Sequence, residues 1–154
     1  MIGPPTDSPA LHAGLVVAAA AFVAVAGTLP AQPAPDAAGV ADTVDAVAAG
    51  ESPAGATHEH AAERVRVRGH GIAMRNGGGT ARATFAFGPV VPVVDGLLRR
   101  VLDGESPRAV FRDADAFREA VETARDRGPV WVASEEITVR EVSWDGDRVT
   151  LVGA

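Results

Sequence analysis

The stretch Arg64–Phe87, RVRVRGHGIAMRNGGGTARATFAF, decides the fold class. Its period is two: Val65 and Val67 point one way while Arg64, Arg66 and Arg68 point the other, the pattern of a strand with one buried and one solvated face. A second apolar run, Gly71–Arg75, and a third, Thr80–Phe87, flank Asn76-Gly77-Gly78-Gly79, whose glycines supply the positive φ of a hairpin turn. Gly88-Pro89 stops the third run, and Pro92 confines Val90–Val94 to a sheet edge or to no strand at all.

Beyond this sheet the period becomes helical. Leu97, Leu98, Val101 and Leu102 fit a short helical turn stopped by Gly104, and Ser106-Pro107 is an N-cap and first-turn pair for a piece reaching Phe111. The clearest helix runs from about Asp113 to Arg127, with Phe117, Val121 and Ala124 on one face and Arg118/Glu122 as an i, i+4 pair opposite. Gly128-Pro129 ends it. Val130–Ala133, Ile137–Trp144 and Arg148–Val152 read as extended, the last two joined by a turn at Asp145-Gly146-Asp147.

Upstream, Leu11–Leu29 is a nineteen-residue run without a charge, inside a charge-free zone from Ser8 to Pro35. As a helix it measures roughly 28 Å, close to the thickness of a bilayer's hydrocarbon core. Ala24-Val25-Ala26 before Gly27 has the form of a signal-peptide cleavage site, but the first ten residues hold Asp7 and no basic residue, whereas a signal peptide wants a positive leader. A buried helix of a soluble protein would have a polar face, which this run lacks. The first arginine is Arg64, so flanking charge gives no orientation, and the layout of a Pro-rich spacer before a compact module favours an external head.

Pro30, Pro33 and Pro35 make a stiff exit from that run. Asp36 stands as an N-cap to a short helix carrying Val40, Val44 and Val47 and ending near Gly50, and Glu51–Ala62 is read as flexible. The expected organisation is a tail over 1–10, a transmembrane helix over 11–29, a linker over 30–63 with a short helix and a flexible His-containing segment, and a soluble domain over 64–154. The expected fold class is α+β: an N-terminal transmembrane helix followed by a small antiparallel sheet packed with one or two helices.

All fourteen basic residues are Arg against twenty acids, giving a net charge of −6. Arg without Lys, with Ala, Val, Gly and Asp enriched, suits a high-GC genome, and the acidic excess suits a salt-adapted proteome. The absence of Cys rules out disulfides, thiolate metal sites and cysteine nucleophiles.

Candidate chemistry is sparse. His58-Glu59-His60, with Glu63 and His70, offers imidazoles and a carboxylate to a divalent metal, but not in the helical H-E-x-x-H spacing, and a solvated linker is the commoner reading. Gly77–Gly79 cannot be a phosphate loop, because Thr80-Ala81-Arg82 follows and no Lys exists to reach a phosphate. No serine sits in a Gly-x-Ser-x-Gly elbow. No cofactor is expected. Residues 64–94 carry Arg64, Arg66, Arg68, Arg75 and Arg82 and no acid, while residues 1–63 carry seven acids and no Arg. The Arg64/Arg66/Arg68 row is commonly just the wet face of an amphipathic strand; its functional alternative is a docking face for acidic partners, acidic surface polymers or anionic headgroups. With Tyr absent and Trp131 and Trp144 distant in the chain, nucleic acid is not an expected partner.

At Pro35-Asp36-Ala37-Ala38, at Asp42–Ala48, at Thr80–Gly88, at Ser143-Trp144 and at Leu151-Val152-Gly153 the chain resembles a family of haloarchaeal membrane proteins of unknown function. The resemblance implies company with pilus-like or secretion components, and an apolar helix leading into an α+β head is similar in layout to a pilin. It departs from a pilin in having no basic-Gly processing site before the apolar run and no Glu near the start of that run. The function expected is that of a single-pass, membrane-anchored, extracytoplasmic structural or interaction protein, in contact with the lipid bilayer and with membrane or surface-appendage proteins. The alternative is an anchored or secreted hydrolase or metal-binding protein using His58, His60 and His70.

Overall fold

The computed structural model describes residues 32–51 and 54–154. Helix α1, Ala37–Ala48, starts where Asp36 accepts a hydrogen bond from the Gly39 amide at 2.9 Å, satisfying one of the amides that a helix start leaves without a partner. Two sheets follow. Strands β2 (Arg64–Arg68), β3 (Gly71–Asn76) and β4 (Gly79–Thr84) form an antiparallel meander. A four-stranded sheet has the order β1-β6-β7-β5, from β1 (Gly55–Glu59), β5 (Val91–Val93), β6 (Glu136–Trp144) and β7 (Asp147–Gly153). Between β5 and β6 lie the helices α2 (Leu97–Leu102), α3 (Pro107–Val110) and α4 (Ala114–Asp126).

Alternation assigns the two faces of the larger sheet. Ile137, Val139 and Val152 join Val40, Val44 and Val47 of α1 and the inner face of the meander, Val65, Ile72 and Met74, in one buried cluster. Val142, Val149 and Leu151 point the other way, into a cluster with Leu98, Val101, Phe111, Phe117 and Val121. Helix α1 therefore lies between the two sheets, touching β3 and β4 on one side and β1, β6 and β7 on the other. Phe117 fixes the second cluster by meeting Phe111 edge-on, with centroids 5.5 Å apart, and Trp144 at 5.9 Å.

The expected fold class needs correction. No helix among the described residues is long and apolar enough to cross a membrane, and the run Leu11–Leu29 lies outside them. The α+β class itself holds; among the described residues the expected small antiparallel sheet with one or two helices is replaced by two sheets and four helices, and β5 pairs with β7 in parallel. The expected linker over 30–63 supplies α1 to the core and β1 to the larger sheet, where Gly55–Glu59 pairs with Glu136–Arg140. Polar alternation hid β1: only Ala56 and His58 are partly covered in Gly-Ala-Thr-His-Glu.

Two turns explain their glycines. Asp145 and Gly146 both have positive φ, 53° and 88°, the two-residue turn whose twist matches antiparallel strands. At Gly78 the requirement is room, not φ: a Cβ there would come within 2.7 Å of backbone carbon atoms of both Gln32 and Pro33. Asn76 locks this approach by donating to Pro33 O at 3.0 Å and to Ala61 O at 3.1 Å. The chain thus enters the domain pressed against the tip of the β3–β4 hairpin.

Candidate functional site

The register of the meander brings five arginines onto one face. Arg64 stands opposite Arg75, and Arg75 opposite Thr80; Arg66 is opposite Ala73, and Ala73 opposite Arg82; Arg68 is opposite Gly71, and Gly71 opposite Thr84. Because side chains alternate, these nine residues share the outer face, while the inner face buries Val65, Ile72 and Met74 against α1. Strand spacing and rise put the five arginine Cα atoms within an area of about 10 by 13 Å.

Trp131 completes the face. Val132 exchanges two 2.8 Å backbone hydrogen bonds with Val65, and this bridge delivers its neighbour Trp131 to the arginines. The Arg66 and Arg75 guanidiniums lie 4.6 and 4.7 Å from the Trp131 ring centroid, within the range of cation–π attraction. Stacking fixes two long side chains that would otherwise sample many rotamers, so an anion arriving there has less entropy to overcome. Among the described residues no carboxylate lies within 4 Å of Arg64, Arg66, Arg68, Arg75 or Arg82, and the Nε of Arg66 is buried without a hydrogen-bond partner. An open depression lined by Arg66, Arg68, His70, Arg82 and Thr84 runs across the far end of the face.

The profile of a family described as a family of unknown function, DUF7283, matches residues 3–142. The chain belongs to DUF7283. No curated protein and no solved structure matches it.

In this DUF7283 chain the three candidate histidines occupy separate sites. Thr43 Oγ1 donates to Gly39 O at 3.0 Å, so the 2.8 Å contact with His58 is its Nδ1–H donating to Thr43 Oγ1. His58 thereby ties β1 to α1. His60 accepts from the Ala62 amide through Nδ1 at 3.2 Å, and its Nε2 is buried without a partner. Burial holds its pKa below the ordinary imidazole value, and the nearby His58 charge pushes in the same direction, against a backbone hydrogen bond that raises it. His70 sits exposed in the β2–β3 turn beside the arginine face. Among the described residues no group of three or more His, Cys, Asp or Glu side chains is arranged to hold a metal ion.

Sequence reading found the arginine row and missed its aromatic partner. Val130–Ala133 was legible as an extended run, but its pairing with β2 depends on a contact between residues far apart in the chain. Only the bridge at Val132 forms.

Proposed function

We propose that this chain is a membrane-associated, non-catalytic interaction module whose arginine face contacts an anionic partner. The observation that carries the reading is the set of five arginines on one face with no described carboxylate within 4 Å, two of them pre-positioned on Trp131. Membrane association is supported by the uncharged run Leu11–Leu29. The finer reading places the head outside the cytoplasm, as an accessory of a pilus-like or secretion complex in a salt-adapted archaeon. Its support is the resemblance to haloarchaeal membrane proteins together with the Lys-free, acidic composition.

Two measurements test this. The chain should stay with membranes through an alkaline carbonate wash and should be open to protease added outside intact cells; release by the wash overturns the membrane reading. Purification from native membranes at the organism's working salt should then recover an anionic component, protein or phospholipid, that Arg64→Gln/Arg66→Gln/Arg68→Gln loses. Identical co-purifying material from the two proteins rejects the face as a contact surface.

A further inference from the structure

Resting on the membrane reading above, we infer that the anionic partner of the arginine face is the phosphate layer of an acidic lipid surface, against which the meander lies flat. The face is broad, open and uniformly cationic, with Arg64, Arg75, Arg66, Arg82 and Arg68 distributed over all three strands instead of lining one slot. An extended plane of fixed anions matches such a layout at every row. Guanidinium groups hold phosphate oxygens through paired N–H donors.

The path of the chain adds an independent argument. Gln32 and Pro33 rest on Gly78 at the hairpin tip and are held there by Asn76, beside the Arg64–Arg75–Thr80 row. Only Pro30 and Ala31 separate Gln32 from Leu29, the end of the uncharged run. In the sequence the uncharged run thus ends three positions before the residue that meets the tip of the arginine-bearing hairpin. Tryptophan and arginine are also the side chains that suit the headgroup layer, each combining an apolar body with a polar end.

Nucleic acid is the weaker match. Single strands need aromatic faces free for base stacking, and Trp131 already carries two guanidiniums. An acidic protein remains the main competitor and is separated by the experiment.

The test uses the full chain with Trp144→Phe, which leaves Trp131 as its single tryptophan. The protein is mixed with vesicles of phosphatidylcholine alone or of equal parts phosphatidylcholine and phosphatidylglycerol, each carrying a nitroxide-labelled headgroup lipid. Flotation reports membrane association and quenching of Trp131 reports contact of the face with headgroups. We expect flotation with both vesicles and quenching several-fold stronger in the acidic one. Each arginine removed should weaken docking about five-fold, and Arg64→Gln/Arg66→Gln/Arg68→Gln should return quenching to the neutral-lipid level. If that variant loses its fold, Arg68→Gln with Arg82→Gln, neither of which stacks on Trp131, should still lower quenching by more than ten-fold in docking strength.

Flotation with both vesicles but equal quenching overturns lipid docking and leaves the membrane-associated module standing, with an acidic protein as its partner. Flotation with neither vesicle overturns both readings, because a lipid-docking face would by itself carry the protein to the acidic vesicle at low salt. Flotation with the acidic vesicle alone supports the docking face and removes the uncharged run as the means of attachment.

Discussion

The two sheets of this protein treat arginine in opposite ways. Around the four-stranded sheet and its helices, seven of the nine arginines meet a carboxylate: Arg99 with Asp103, Arg100 with Glu105, Arg112 with Asp113, Arg118 with Asp115, Asp145 and Asp147, Arg125 with Glu122, Arg127 with Asp95, and Arg148 with Glu141. Arg140 donates to the carbonyls of Val101 and Glu105, and Arg108 stacks over Trp144. Around the meander, five arginines meet no described carboxylate. In a chain with more acids than bases, such segregation is not a shortage of partners. The paired arginines serve the fold: Arg118 ties α4 to the β6–β7 turn, and the Glu105 carboxyl is held below its ordinary pKa by hydrogen bonds from Arg100. The arginines of the meander make no such ion pair among the described residues, and two of them, Arg66 and Arg75, stack on Trp131 instead.

The largest test of that contrast lies in the cores, because both sheets must be parts of one folded body for the comparison to hold. Phe117 is 1% exposed and Met74 is fully buried. Phe117→Ala should cost roughly 3–5 kcal/mol and Met74→Ala roughly 2–5 kcal/mol in chemical denaturation. The two clusters lie on opposite faces of the same sheet, through Val139 and Val142, so each variant should still unfold in a single transition. Two separated transitions in Met74→Ala would make the meander an independent unit and break the contrast.

A smaller effect is expected where the meander is fastened to α1. Asp45 accepts from the Ala86 amide at 2.9 and 3.0 Å and from the Phe87 amide at 3.0 Å, just beyond β4. Asp45→Ala should cost about 1–2 kcal/mol and raise amide exchange at Ala86 and Phe87. Unchanged exchange there would show that the meander is held by its apolar face alone.

How much of this was legible in the sequence follows from the range of each interaction. The α4 helix and the Asp145-Gly146 turn are set by neighbours within a few residues, and they stand where periodicity and turn residues put them. The Val65/Val67 alternation correctly gave the two faces of β2. Strand partners were legible only across the two hairpin turns, at Asn76–Gly79 and Asp145–Asp147; nothing in Gly55–Glu59 points to Glu136–Arg140, and nothing in Val130–Ala133 points to Val65. Alternation tells which side of a strand is buried but not what lies alongside it. Three arginines were therefore readable as a row, while the five-arginine face with Trp131 needed the fold.

Smaller again is the stability effect of stripping the face. Changing Arg64, Arg66 and Arg68 together to Gln should alter folding stability by no more than about 0.5 kcal/mol for each of the exposed Arg64 and Arg68, and by about 0.5–1 kcal/mol for the half-buried Arg66 that stacks on Trp131. A loss comparable to that of Met74→Ala would mean that these residues serve the fold like the paired arginines, and the contrast between the two sheets would collapse.

The smallest effect belongs to the joint between the sheets, where His60 follows β1 and precedes β2. Its amide donates to Glu135 O at 2.9 Å and its Nδ1 accepts from Ala62. With its folded pKa lowered by burial, the unfolded chain binds a proton first as pH drops below about 6.5. The unfolded state then holds more protons than the folded one, so stability falls as pH decreases through that range and is unaffected by His60 above it. His60→Gln keeps an acceptor for the Ala62 amide and has no charge to gain. Denaturation midpoints between about pH 7 and pH 5 should therefore decline more steeply in the wild type than in His60→Gln, while carboxylate contributions at the acid end remain common to both. Parallel declines would mean that His60 takes up its proton in the folded protein as readily as in the unfolded chain, and that the joint opens to water without disturbing either sheet.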